Sequence, residues 1–370
     1  MKLGKYEVEF KKRSKELTFQ ETIQIRILSV LMGLAAVALI FLAYGHNPLV
    51  LYFDVFYYAF FTVFGLLSTL SRFIPLLLIA IGLAVPFRAK IDNIGAEGQF
   101  LVGTIAASGV ALFYGEGANP FVIIPVMFLA GFLAGALWAL PIAIFRVKSQ
   151  FKGSDVVISF LLFFPAKFMI DYLITGPWRD PEGWGFPQSP LFPESTQIFT
   201  FPGTRVHLTI FLALAATFLI YYFLTREKKG IPETKLGYEI NVLGENPEAG
   251  EAAGMSFLKI AIISVLIPGG LAGLAGVGEV AGNPNFYRLR PELSRFMGFT
   301  GIAVAWLGGL NPLGIIVSAL FFSGLLAGGV IVQVSGLPVS VVDLFNGSIL
   351  FFVLIAEFFI RNKIEWGTVS

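Results

Sequence analysis

The feature that most constrains this chain is a series of nearly continuous apolar runs separated by short polar stretches. An α-helix of about 20 apolar residues crosses the hydrocarbon core of a bilayer. Of the 370 residues, 56% are hydrophobic and 14% are charged. Soluble domains are about 45–50% apolar and about 25% charged. The sequence therefore predicts an all-α, polytopic membrane helical bundle and excludes a soluble enzyme or a disordered chain.

The apolar pattern predicts nine spans and one shorter run. The nine spans are placed at 26–44, 72–89, 95–114, 120–144, 155–175, 206–225, 258–281, 312–333 and 340–360. The shorter run, 296–310, is rich in glycine and stops at Asn311-Pro312, so we expect it to be tilted or re-entrant. The stretch 50–70 carries Asp54 and many aromatic residues, which is typical of a helix lying at the membrane interface.

The distribution of lysine and arginine predicts the orientation, because short cytoplasmic loops carry an excess of both. Four segments hold most of these cations: Lys2, Lys5, Lys11, Lys12, Arg13, Lys15 and Arg26; Arg146, Lys148 and Lys152; Arg226, Lys228, Lys229, Lys235 and Lys259; Arg361 and Lys363. If all four are cytoplasmic, the number of crossings is even, and counting 296–310 gives about ten. We therefore predict a membrane domain at 26–360 between cytoplasmic tails at 1–25 and 361–370. Arg288, Arg290 and Arg295 then lie outside, against the general trend.

Two loops are longer than a connection requires. The external loop 176–205 is rich in proline and aromatic residues, which suits either a lid over the bundle or a docking surface for an extracytoplasmic partner. The cytoplasmic loop 226–257 contains Asn246 and Pro247, a pair typical of a helix start. We expect a short amphipathic helix there that can press on another protein.

The sequence lacks the motifs of the common catalytic sites. It contains no GxxxxGK[ST], GxSxG or HExxH motif and no cysteine, and its histidines are His46 and His207. We therefore predict no catalytic residue, no metal site and no ATPase activity in this chain. The net charge of +2 does not favour a nucleic-acid partner.

A first polar cluster stands at the head of the span 95–114. Asn93, Glu97 and Gln99 lie there within seven residues. Polar and ionisable groups at membrane depth are costly, so they are candidates for lining a substrate path. A structural interpretation is equally open, in which Asn93 caps the helix and Glu97 lies in its first turn.

A second polar cluster ends the span 258–281. Glu279 and Asn283 precede the glycine-rich run that holds Phe296 and Trp306 and stops at Asn311. We count all five as candidates for the substrate path, since the two aromatic rings could stack on a ring-shaped substrate or simply pack. The runs 95–114 and 296–310 are predicted to cross in opposite directions, which is compatible with an inverted repeat but does not establish one.

Three segments together resemble one family: DNIGAEGQFLVGTIAASG at 92–109, TKLGYEINVLGENPEAGEAAGMS at 234–256 and GFTGIAVAWLGGLNPLGI at 298–315. They are similar to the permease subunits of ATP-binding-cassette importers for nucleosides and simple sugars, relatives of the ribose and branched-chain amino acid permeases. The resemblance implies a multi-pass protein of the cytoplasmic (inner) membrane that pairs with a second permease, related or identical. It also implies a cytoplasmic ATPase subunit that binds ATP–Mg and an extracytoplasmic substrate-binding lipoprotein, with no cofactor on this chain.

The same resemblance assigns the segment that docks on the ATPase. The matching positions are Gly244, Glu245, Asn246, Pro247, Glu248, Ala249, Glu251, Ala252, Ala253 and Gly254. The chain departs from the family pattern at Asp92, at Ser154-Asp155 and at Gly309.

Two alternatives and the choice of substrate stay open from the sequence. A gradient-driven secondary transporter would use Glu97, Glu279 or Asp171 for proton coupling. A membrane scaffold that transports nothing is disfavoured by the polar clusters. Nucleosides are the first choice of substrate, with simple sugars and a flavin-like vitamin as the others. The few charges near the path favour a neutral polar molecule.

Overall fold

The computed structural model describes residues 2–3, 6–13, 17–149, 153–228 and 231–368. Its α-helices are α1 (Phe19–Ala43), α2 (Pro48–Phe61), α3 (Val63–Arg88), α4 (Ala96–Tyr114), α5 (Pro120–Lys148), α6 (Ser154–Leu161), α7 (Phe163–Thr175), α8 (Thr209–Ile220), α9 (Lys235–Glu245), α10 (Pro247–Ala252), α11 (Phe257–Gly282), α12 (Met297–Leu307), α13 (Pro312–Val334) and α14 (Val339–Arg361). Short strands are β1 (Lys2–Leu3), β2 (Tyr6–Lys12), β3 (Glu227–Lys228), β4 (Ile231–Pro232) and β5 (Asn362–Thr368). Four of the cations used to predict the orientation lie outside the described residues: Lys5, Lys15, Lys152 and Lys229.

The predicted helical membrane bundle is confirmed. Among the described residues, 8 stretches are long and apolar enough to cross a membrane, one of them formed by α6 and α7 together. Shorter apolar helices cover Pro48–Phe61, Thr209–Leu224 and Met297–Leu307. The last of these is the run that the sequence predicted to be short.

The prediction of one helix over 50–70 followed by a span at 72–89 is wrong. Helix α2 ends at Phe61, and α3 begins at Val63 and continues to Arg88. Thr62 has extended backbone, and its hydroxyl accepts a hydrogen bond from the Gly65 N–H at 3.1 Å. This side-chain cap starts a new helix inside a uniformly apolar stretch, where hydropathy carries no signal.

The predicted span 155–175 contains a break. Helix α6 ends at Leu161 and α7 begins at Phe163. Pro165 has no N–H with which to bond the Leu161 carbonyl four residues earlier, which explains the interruption. The carbonyl of Leu162, the residue at the break, accepts the indole N–H of Trp138 at 3.2 Å.

The chain divides into two compact units, of which residues 59–327 form the larger. Its centre is a crossing of α4, α5 and α11 at three glycines, Gly103, Gly131 and Gly273. A methyl group on Gly273 would overlap the Gly131 carbonyl oxygen, so the backbones are in direct contact. Small residues allow such close approach between helices in a membrane.

The smaller unit contains residues 1–58 and 328–370. Here α1 packs along α14, with Gly33 against the backbone of Ile349. The rings of Phe41, Tyr52 and Phe345 form a cluster with centroids 5.4–6.2 Å apart. Strand β2 pairs antiparallel with β5, so the segments that the sequence predicted only as tails are joined in one small sheet.

The glycine crossing gives a first prediction. Gly273→Ala should lower the stability of the purified chain in detergent by about 1–3 kcal/mol, the usual range for overpacking. Its added methyl meets backbone atoms, which cannot rotate away. The control is Gly347→Ala in α14, where an added Cβ meets nothing within 4 Å. Equal melting temperatures for the two variants would contradict the proposed crossing.

Candidate functional site

Helices α4 and α12 meet at their N-termini, and Glu97 is the contact between them. Its side chain is completely buried. One carboxylate oxygen accepts the backbone N–H of Gly298 at 2.6 Å, and the other accepts the hydroxyl of Ser294. Glu97 lies in the first turn of α4 and binds the first turn of α12, so one negative charge faces the positive ends of two helix dipoles.

The close approach of these two helices depends on Gly298. A Cβ at this position would overlap the backbone nitrogen of Glu97 and lie 2.7 Å from its carboxylate. Any larger residue would therefore separate the two helix ends. Gly298 is also the first residue of the family motif at 298–315, and this close contact explains why a glycine is needed there.

The segment before α4 is held in place by amide and hydroxyl side chains. Asn93 and Gln99 exchange two side-chain hydrogen bonds, at 3.2 and 3.1 Å, and the side-chain oxygen Oδ1 of Asn93 also accepts the Gly95 N–H at 2.9 Å. In the structural interpretation that the sequence left open, Glu97 does lie in the first turn of α4, but the cap is wrong, because the N-cap residue is Gly95 and Asn93 pairs with Gln99.

This segment also lies along α6. The N–H of Asp92 donates to the Asp155 carboxylate at 2.9 Å, and the N–H of Ile94 donates to the Ser159 hydroxyl at 3.1 Å. Asp155 in turn lies 3.6 Å from the Arg146 guanidinium. The irregular backbone before α4 is therefore bound to side chains of α6.

The second cluster surrounds a small cavity. Asn283 donates to the Glu279 carboxylate at 2.9 Å and accepts the Asn285 N–H at 3.2 Å. Glu279, Asn283 and Arg295 line a cavity of about 30 Å³ together with Arg72. This volume has room for at least one water molecule. The structure thus brings Glu279 and Asn283 together beside the start of α12.

The remaining candidates lie at opposite ends of α12. Phe296, at the N-terminal end, has left-handed backbone (φ 59) and is 58% exposed. Trp306, at the other end, is buried and stacks on Phe87 with ring centroids 4.7 Å apart. Asn311 is exposed and its side chain accepts the Leu313 N–H at 3.0 Å, which starts α13. Since the 11 residues of α12 span about 16 Å, these residues do not form one site.

Sequence reasoning missed Arg88, the last residue of α3. Its guanidinium donates to the Leu310 carbonyl at 3.2 and 3.0 Å and to the Leu224 carbonyl at 2.8 Å. Arg88 therefore joins the ends of three helical segments that are far apart in sequence. The only signal in the sequence was a cation in the last turn of a span, where it complements the helix dipole.

The loop 226–257 contains two short helices. The Asn246 side chain accepts the Ala249 N–H at 3.0 Å and Pro247 is the first residue of α10, as predicted. Helix α10 and the residues after it expose a polar and small surface: Glu248, Ala249, Glu251, Ala252, Ala253 and Gly254.

Helix α9 connects this exposed surface to α3. A Cβ on Gly244 would overlap the Arg88 carbonyl oxygen, so α9 touches the last turn of α3. Lys90 and Glu245 form an ion pair at 3.0 Å beside this contact. A displacement of α9 would therefore push directly on the residue that binds the end of α12.

Comparison with known proteins identifies the family to which this chain belongs. Residues 65–354 match the family model of the permease component of branched-chain amino acid transport systems. The chain belongs to this permease family. It is a multi-pass, membrane-spanning permease subunit of an ATP-binding-cassette importer, and members of the family are not themselves catalytic. The family works with an ATPase partner and a substrate-binding protein.

Curated relatives align over nearly the whole chain. The glucose ABC transporter permease protein TsgB13 of Haloferax volcanii is 32% identical over 91% of this chain and 88% of its own length. The guanosine ABC transporter permease protein NupP of Bacillus subtilis is 30% identical over 89% and 92%. The nucleoside ABC transporter permease protein NupB of Lactococcus lactis is 28% identical over 90% of each chain. No solved structure matches this chain with significance.

The contact between α4 and α12 gives a second prediction. Glu97→Gln should lower the free energy of unfolding by about 2–3 kcal/mol, because hydrogen bonds to a charged group are replaced by weaker ones and an amide N–H₂ then faces other donors. The measurement is the melting temperature of the purified chain. Glu116→Gln, in an exposed loop, is the matched control and should change nothing. A stable Glu97→Gln protein would contradict the structural role of the carboxylate.

The contacts of Arg88 give a third prediction. Arg88→Gln should speed amide hydrogen exchange at the ends of the joined segments, residues 221–226 and 305–311, because two carbonyls lose a charged donor. Exchange within 98–104 should stay the same. Arg179→Gln, at an exposed arginine, is the control and should alter neither region. Unchanged exchange in Arg88→Gln would show that the three ends are held by other contacts.

Proposed function

We propose that this chain translocates a neutral nucleoside, or a simple sugar-like molecule, by alternating access driven by a separate ATPase subunit. The observation that carries the choice of a neutral substrate is the position of Glu97. In transporters with broken helices, the positive N-termini bind anionic groups of the substrate. Here the buried carboxylate of Glu97 already lies between the N-termini of α4 and α12 and accepts the Gly298 N–H, so this pair of helix ends is not free to bind an anionic group of a substrate.

The names of the relatives support the same class of substrate. The three described above are named for glucose, guanosine and nucleosides, all of which are uncharged. A shared chemistry of hydroxyl groups and uncharged rings is compatible with the amide and hydroxyl side chains beside Glu97 and Glu279.

The energy for transport would come from the partner. We propose that ATP–Mg binds to a cytoplasmic ATPase subunit, that this chain holds no cofactor, and that the ATPase docks on the exposed surface of α10. Movement of α9 and α10 would act through Gly244 on Arg88 and so on α12. The residues of the predicted coupling segment that carry contacts inward are Gly244 and Glu245, and the exposed ones would face the ATPase.

The other partners and the orientation are part of the proposal. The chain would pair with a second permease, related or identical, with both termini in the cytoplasm. The loop 176–205 would then lie outside and receive the substrate-binding lipoprotein. That loop is ordered against the bundle, since the N–H of Ile198 donates to the Ala281 carbonyl at 2.8 Å and the Ser195 hydroxyl donates to the Gly115 carbonyl.

Uptake by the reconstituted transporter tests the proposal. The chain is purified with its ATPase and second permease, placed in liposomes, and supplied with the binding protein and radiolabelled guanosine or glucose. Uptake that requires ATP on the side of the ATPase and that is unaffected by a proton gradient is expected. Uptake that follows the proton gradient without ATP would instead support a secondary transporter, the alternative from the sequence.

The docking surface gives a fourth prediction. Glu248→Lys should abolish the stimulation of ATP hydrolysis by the loaded binding protein, because it reverses the charge of an exposed surface in contact with the ATPase. The chain itself should fold as before. The control is Glu116→Lys in the loop between α4 and α5, which should keep the stimulation. Retained stimulation in Glu248→Lys would contradict the assignment of α10.

A further inference from the structure

An open cavity of about 530 Å³ lies between the loop that follows α7 and the segment that follows α11. We call it the vestibule. The residues that line it include Phe186, Gln188, Phe286, Arg290, Glu292 and Arg295. Small-molecule sites have volumes of about 300–1,000 Å³. This cavity is separate from the exposed surface of α10 and from the contact between Glu97 and α12.

The two walls of the vestibule are tied together by the backbone. Ser189 donates its N–H to the Leu289 carbonyl at 2.9 Å, and the Leu289 N–H donates back to the Ser189 hydroxyl at 2.9 Å. Phe192 donates its N–H to the Tyr287 carbonyl at 2.7 Å. These bonds make the external loop a fixed wall, which favours a preformed site over a loose lid.

One wall also holds an unusual backbone. Tyr287, Glu292, Arg295 and Phe296 have φ values of 46, 55, 46 and 59, in the left-handed region that large side chains avoid. Such residues persist only where the surrounding structure imposes them, and they cluster at ligand sites. Four such residues within ten positions indicate that this segment forms part of a ligand site and does more than connect two helices.

The lining combines flat rings with both kinds of hydrogen-bonding group. Phe186 and Phe286 offer aromatic faces, and Gln188 carries an amide that both donates and accepts. Arg290 is a donor and Glu292 an acceptor, with opposite charges. Arg295 also interacts electrostatically with the Glu279 carboxylate. A flat, uncharged heterocycle with donors and acceptors on its edge matches this set, since amide and guanidinium groups pair with such edges and aromatic rings stack on their faces.

We propose that the vestibule binds the heterocyclic base of a nucleoside before the nucleoside enters the membrane-spanning path. This inference rests on the proposed import function and selects nucleosides over sugars. The C–H face of a sugar ring also packs on aromatic side chains, but only a planar base adds π-stacking on Phe186 and Phe286, so we expect the base to bind more tightly. The vestibule therefore gives the permease its own preference for nucleosides over sugars, in addition to the selectivity of the binding protein.

The aromatic surface continues from the vestibule toward Glu97. Phe296 follows Arg295 in the chain, and its ring lies 6.2 Å from that of Phe299. Phe299 is 6.2 Å from Phe160, which is 5.5 Å from Phe164. Phe296, Phe160 and Phe164 are exposed. A base released from the vestibule would thus meet further rings beside the N-terminus of α12.

Photolabelling of the assembled transporter, without binding protein, tests this assignment. The probe is 8-azidoguanosine, an uncharged photoreactive nucleoside, and the labelled peptides are identified by mass spectrometry. We expect labelling within 180–192 or 283–297 that excess guanosine prevents and excess glucose does not. Phe186→Ala should weaken probe binding about tenfold, the usual effect of removing one stacking ring.

Two matched controls accompany the test. Phe199→Ala removes another exposed ring of the same loop that does not line the vestibule. Arg290→Gln, which removes a charged donor of the vestibule, should also weaken probe binding, whereas Arg179→Gln should not. Labelling outside these two segments, competition by glucose, or equal labelling of Phe186→Ala and Phe199→Ala would overturn the assignment.

Guanosine uptake by the same complex, with binding protein, separates this assignment from the proposed function. ATP-driven guanosine uptake without vestibule labelling would leave the import function standing and reject the vestibule. If the complex imports glucose and not guanosine, the nucleoside substrate and the vestibule are both rejected, while ATP-driven import by this permease remains.

Discussion

The interior of the larger unit depends on one buried carboxylate between two helix ends. Two helix N-termini repel each other unless a negative charge lies between them, and a charge away from water must be fully hydrogen-bonded. Glu97 meets both conditions, since it lies in the first turn of α4 and accepts hydrogen bonds from Ser294 and Gly298 of the segment that begins α12. Gly298 completes the contact because any side chain would separate the helices.

Helix α12 is short, and groups of opposite charge hold its two ends. Its N-terminus faces Glu97 and the carbonyl that follows its C-terminus faces Arg88, so each charge complements the dipole of the helix. The Arg88 carbonyl is also where α9 touches α3. Under the proposed mechanism, this gives a short mechanical connection of about 16 Å from the ATPase-facing helices to the polar clusters. At the glycine crossing of α4, α5 and α11, by contrast, the helix backbones are in direct contact.

Elements with a clear sequence pattern were predicted, whereas features that depend on one side chain in an apolar run, or on which polar groups meet, were not. The number and approximate position of the apolar helices follow from hydropathy, and the start of α10 follows from Asn246 and Pro247, which act on their neighbours. The break at Thr62 was missed because a single capping hydroxyl is invisible in an apolar run. The pairing of Asn93 with Gln99 was missed because the sequence shows polar residues but not which of them meet.

The sequence by itself determined that this chain is a membrane permease with polar groups at the heads of two apolar runs. Repeated apolar runs of about 20 residues indicate membrane spans, and the family motifs can be recognised in short stretches of sequence. The tertiary structure decided what those groups do. It joined Glu97 to Ser294, 197 residues later in the chain, and Arg88 to Leu310, 222 residues later. Contacts at that separation depend on which helices pack together, and the order of the residues does not show which distant residues meet.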